Sequence, residues 1–157
     1  MKITLAKFLY NAILNLLVCL ALCLASAALT GFRSFEPVPF FLNLLLSYAL
    51  AMLIGLLIPL MAIGKAFAGL FKVKNDTYTG HLAYRLLATF IIAMIFYLII
   101  SPSLALFNYF LYGYMDPLAA FLSFLRSMPF LFLVDFLSSL LFDIPAYRLA
   151  HRVDPAF

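Results

Sequence analysis

Charge is what this sequence lacks. Of 157 residues, 10 are Lys or Arg and 6 are Asp or Glu, so charged residues make up 10% of the chain. A soluble domain carries about 25%. Hydrophobic residues reach 68% and mean hydropathy is +1.16, more apolar surface than a core of this size absorbs. The surplus requires lipid, which excludes an ordinary soluble domain. Tryptophan is absent, and the two cysteines, Cys19 and Cys23, stand one helical turn apart in the first apolar run. That spacing gives poor disulfide geometry, and the pair reads as small packing residues. His81 and His151 lie far away in polar segments, so no metal site is expected. There is no glycine-rich phosphate loop, and Ser138 and Ser139 have no histidine at membrane depth. The expectation is a chain that is not an enzyme and holds no cofactor. Its pI of about 9.2 comes from residues flanking the apolar runs, which gives no support to nucleic-acid binding.

What is present is four apolar runs. Phe8 to Leu29 is interrupted only by Asn11, Asn15 and Ser26, and at 1.5 Å per residue it covers about 33 Å, enough for a hydrocarbon core of about 30 Å. The second run spans Phe40 to Ile63, the third Leu86 to Leu111 and the fourth Leu118 to Ile144, with Pro145 helping to close the last. Lipid cannot satisfy the backbone of an open strand, so each run is expected to be helical. The fold class predicted is all-α: a polytopic membrane protein built as a four-transmembrane-helix bundle. A secretory signal is the rival reading of the N-terminus, with Ala25-Ser26-Ala27 as the cleavage site. The long run and its two asparagines favour a retained span.

Basic residues orient the spans. Lys2, Lys7, Lys65, Lys72, Lys74, Arg85, Arg148 and Arg152 fall on one side of the alternation and Arg33 on the other, with Arg126 inside a span. The positive-inside rule then places both termini and the middle connector in the cytoplasm, as expected for a multi-pass protein of the cell's inner membrane. The connector 64–85 interleaves lysines with Phe67, Leu70 and Phe71. It is read first as the positive-inside signal and second as a short amphipathic helix on anionic lipid.

The chain divides into two hairpins of similar plan, 1–68 and 82–157, within a single transmembrane domain. Phe41-Leu42-Asn43-Leu44-Leu45-Leu46-Ser47 parallels Phe121-Leu122-Ser123-Phe124-Leu125-Arg126-Ser127, and Ile58-Pro59 with Lys65 parallels Ile144-Pro145 with Arg148. Duplication is favoured, with chance similarity of apolar sequence as the alternative. Both hairpins would enter the membrane in the same direction, making a parallel repeat. This plan resembles a family of small bacterial inner-membrane proteins built from a two-helix domain of unknown function, sometimes doubled in one chain. The resemblance rests on Phe41 to Lys65 and Phe121 to Arg152, and it implies a topology but no activity.

Polar residues inside the spans are the remaining signal. Asn11, Asn15, Cys19 and Cys23 recur every four residues on the first span. Asn43, Ser47, Ala51, Gly55 and Pro59 do so on the second, and Thr89, Ala93, Tyr97 and Ser101 on the third. The fourth carries Ser123, Ser127, Asp135 and Ser139. Such stripes read first as helix–helix seams and second as a polar solute pathway. Arg126 and Asp135 each cost about 2.5–3.5 kcal/mol at the bilayer centre. Arg126 can snorkel, whereas Asp135 is short and deep. Nine residues apart on a helix, they point to roughly opposite sides. Asp135 is therefore expected to take donors from another helix, with Asn11, Asn15, Ser47 and Thr89 as candidates and Asn43 in the same polar set. At the cytoplasmic exit, Asp143 is expected to pair with Lys65, Arg148 or Arg152. The leading functional expectation is a non-catalytic protein acting through helix packing with itself or a membrane partner subunit. The alternative is a small transporter or channel with a proton- or cation-linked carboxylate at Asp135.

Overall fold

A computed structural model describes residues 5–31, 36–72, 78–113 and 117–155. These form five helices: α1 (Leu5–Thr30), α2 (Pro37–Leu57), α3 (Leu60–Leu70), α4 (Tyr78–Tyr112) and α5 (Pro117–Val153). The described residues contain no strand. Four helices, all but α3, are long and apolar enough to cross a membrane. The chain is an all-helical membrane protein, as its composition requires. Lys2, Arg33 and Lys74, which entered the charge reading, lie outside the described residues.

Backbone chemistry sets the helix limits. Gly31, with φ of +82°, closes α1 in a conformation that costs glycine nothing. Pro37 opens α2 at a position whose N–H has no helical partner anyway. The second span does not run unbroken to Ile63 as expected. Ile58 is extended, with φ −91° and ψ 133°, because the ring of Pro59 excludes the helical region for the residue before it. The chain restarts as α3, so part of the expected connector is a helix packed on α4, with Leu60, Gly64 and Ala68 buried.

The last two helices are longer than the apolar runs. α4 has 35 residues and α5 has 37, each above about 50 Å. Pro102, Pro129 and Pro145 all lie inside them. Pro145 therefore does not close the fourth helix. Pro129 and Pro145 lie on exposed parts of α5, and Ser103 donates to the Ile99 carbonyl at 2.7 Å beside Pro102. Arg85 donates to the Leu140 carbonyl at 2.7 Å.

Contacts run α1–α2, α2–α4, α4–α5 and α5–α1, a closed ring of four. Because α1 packs most broadly on α5, the two hairpins are divided by chain order and not by packing. The ring is antiparallel, so it has a terminal end, where α1 begins and α5 finishes, and a hairpin end, where the α1–α2 and α4–α5 connections lie. Small residues make the seams. A Cβ on Gly55 would fall 2.5 Å from Asn11 Oδ1, and one on Gly64 would fall 3.2 Å from the Ala88 Cβ. Large apolar side chains such as Leu45, Phe110 and Leu141 face outward.

Candidate functional site

The polar stripes of four helices turn toward one another inside the ring. They line a cavity of about 800 Å³, within the range of small-molecule sites. α1 contributes Asn15, Cys19 and Cys23, and α2 contributes Asn43 and Ser47. From α4 come Thr89, Tyr97, Ser101 and Asn108, and from α5 come Ser123, Ser127, Asp135 and Ser139. The stripes are therefore walls of a shared lumen as well as packing seams. Their short polar side chains do not close the middle of the ring.

Asp135 is 2% exposed and is one of the two largest fully buried side chains, with Cys19 the other. Its Oδ2 has no hydrogen-bond partner among the described residues. Ser139, one turn along α5, is the hydroxyl that faces the carboxyl. Three of the four donors expected from other helices, Asn11, Asn15 and Ser47, make bonds elsewhere. Asn11 donates to the Lys7 carbonyl at 2.8 Å and sits in the α1–α2 seam against Gly55, away from the lumen. Asn15 reaches Met52 Sδ at 3.9 Å, and Ser47 donates to the Leu44 carbonyl at 3.0 Å. Ser138 is committed to the Val134 carbonyl of its own helix. Asn15, Ser47 and Thr89 share the cavity with Asp135 without any of these bonds reaching it. An ionised carboxylate taken out of water without a counter-charge costs several kcal/mol, so the site is complete only with a cation or a proton.

The charge of the lining has one sign. Glu36, Asp135 and Asp143 border the cavity, and among the described residues no Lys, Arg or His does. Arg126 is exposed on the outside of α5, away from Asp135, as their spacing predicted.

Each end of the lumen carries a polar tie. At the terminal end Tyr10 donates from its hydroxyl to Asp143 Oδ1 at 2.6 Å, and Arg85 Nη2 lies 3.1 Å from Asp143 Oδ2. This joins α1, α4 and α5. Asp143 thus pairs with Arg85, and Lys65, Arg148 and Arg152 are all exposed instead. The expected partners were chosen for their place at the helix exits, but the long α4 brings Arg85 to the level of Asp143. At the hairpin end Asn108 Nδ2 donates to Asn43 Oδ1 at 3.0 Å, joining α4 to α2.

Sequence reasoning missed Tyr10, Arg85, Asn108 and Glu36. The signal for two of them was present. Continuing the Thr89–Ser101 stripe one turn toward the N-terminus gives Arg85, and two turns toward the C-terminus gives Asn108. Asp143 likewise extends the Asp135–Ser139 stripe. No periodicity marks Tyr10, which reads as an interfacial aromatic.

The geometry defines a four-helix membrane protein with an acidic lumen. In comparisons with known proteins, no family model, no curated protein and no solved structure matches this chain.

Proposed function

We propose that this protein is a small transporter or channel that holds a cation or a proton at Asp135, inside the lumen of α1, α2, α4 and α5. One observation carries the reading: a carboxyl 2% exposed, with Oδ2 unpartnered, on the wall of a cavity of about 800 Å³. A carboxyl kept only for helix packing would be hydrogen-bonded by a neighbouring helix, since a half-satisfied buried polar group weakens a bundle. The engagement of Asn11, Asn15 and Ser47 elsewhere therefore favours the transport reading over the packing one. The ties at the two ends supply barriers that a solute crossing the lumen must pass in turn.

The proposal extends to location. The distribution of Lys and Arg supports an inner-membrane protein with both termini in the cytoplasm, which makes the terminal end cytoplasmic. Kinship with doubled two-helix inner-membrane proteins, anionic lipid at α3 and self-association are further proposals that rest on the sequence pattern.

The test is flux in liposomes containing the purified protein, followed with a pH-sensitive dye and with sodium and potassium indicators. Asp135→Asn and Asp135→Leu are expected to lower flux about tenfold or more, and Asp135→Glu to retain part of it. Wild-type flux persisting in both Asn and Leu variants sinks the reading.

A further inference from the structure

The lumen is not only acidic. Its walls carry apolar and aromatic side chains, with Val18 and Leu22 on α1, Phe96, Tyr97 and Ile100 on α4, and Leu131 on α5. A hydrated inorganic cation gains nothing from such walls, because it keeps its water and touches them through it. Stripping that water needs several oxygen ligands converging on one point. Among the described residues there is no group of three or more His, Cys, Asp or Glu able to hold a metal ion, which argues against a divalent-metal site. Asp135 instead offers a single carboxylate, buried and with one oxygen unpartnered, in a lumen that Phe96 and Tyr97 also line. An organic ammonium has weak hydration, takes one counter-ion, gains from ring faces and buries its carbon skeleton against apolar walls. A space of about 800 Å³ accommodates such a molecule.

Resting on the transport reading above, we infer that the ligand of the Asp135 lumen is a small organic cation with an apolar or aromatic body. Its charged group sits at Asp135 and its body lies against the Phe96 and Ile100 wall. The acidic lining excludes anions, and the apolar wall sets the preference over inorganic ions.

The protein supplies its own reporters. Cys19 and Cys23 are its two cysteines, and both line the lumen. Methanethiosulfonate reagents of opposite charge therefore sample this space chiefly through the half-buried Cys23, because Cys19 is buried. In neutral maltoside micelles, free of ammonium headgroups, the trimethylammonium reagent is expected to label about tenfold faster than the sulfonate reagent. Both rates are normalised to free mercaptoethanol, and the ratio is that of the field near a buried carboxylate. Benzyltrimethylammonium should then slow labelling at concentrations at which its uncharged isostere, neopentylbenzene, is about tenfold weaker. Phe96→Leu should weaken that protection about fivefold. The wild-type comparison of isosteres needs no variant to fold.

Equal protection by the two isosteres, or faster labelling by the sulfonate, overturns the inference. Protection by sodium or potassium alone, with Asp135-dependent flux of those ions, overturns it and leaves the transport reading standing. Displacement of benzyltrimethylammonium by one equivalent of phosphatidylethanolamine assigns the site to a lipid headgroup and overturns the inference as well. Labelling and flux that both ignore Asp135→Asn remove the two readings together.

Discussion

The two ends of the lumen are tied by different chemistry. The terminal end is held by a carboxylate shared between a guanidinium and a phenol, across three helices. The hairpin end is held by one amide–amide bond between two helices. Hydrogen bonds to charged groups contribute about 1.5–3 kcal/mol, whereas interhelical bonds between neutral groups inside a membrane average about 0.6 kcal/mol. The terminal end is therefore the firmer closure and the hairpin end the cheaper one to open. The firm tie also has a structural consequence. It neutralises Asp143 with Arg85, which leaves Asp135 as the buried carboxyl of the lumen without a charged partner.

The comparison can be broken most forcefully at Arg85. Arg85→Met strands Asp143 and frees the Leu140 carbonyl. It should cost about 2 kcal/mol, less than a fully buried pair because each side chain is 35% exposed. Thermal unfolding in detergent measures the loss, and Cys23 should label faster in the same variant. An unchanged melting midpoint would mean the tie does not close that end.

Tyr10→Phe removes only the phenolic donor and should cost about 1 kcal/mol. Combined with Arg85→Met, it should be less than additive, because both act on one carboxylate. Strict additivity would contradict the shared tie.

At the hairpin end, Asn108→Ala should cost about 0.6 kcal/mol. It should nonetheless speed labelling of Cys23 by a membrane-impermeant reagent added from that side. A loss as large as that of Arg85→Met would overturn the ranking of the two ends.

Arg126→Leu is expected to have the smallest effect, within about 0.5 kcal/mol, because its side chain is exposed and borders neither tie. A loss above 2 kcal/mol in nanodiscs, but not in detergent, would reveal a lipid or protein partner on the outside of α5.

Much of this molecule is legible in its sequence. Asp135 and Arg126 fell on opposite sides of α5 because a nine-residue spacing on a helix admits little else. The stripes through Asn15, Ser47, Tyr97 and Ser127 were visible as four-residue periodicities. Their meaning was not, because a tight seam and an open lumen use the same small and polar residues. Proline alone does not set the helix ends. Pro59 does break its helix, whereas α5 runs through Pro145 to Val153.

Composition and periodicity alone determined that the chain enters lipid, that it does so as helices, and which face of each helix turns inward. Those outcomes follow from local chemistry: backbone groups must bond within the segment, and apolar side chains must meet hydrocarbon. Tertiary structure decided the rest. The ring order places α1 against α5, the long α4 carries Arg85 to Asp143, and the closed ring leaves Asp135 buried in the wall of the cavity. These depend on distances between segments remote in sequence, which no residue encodes by itself.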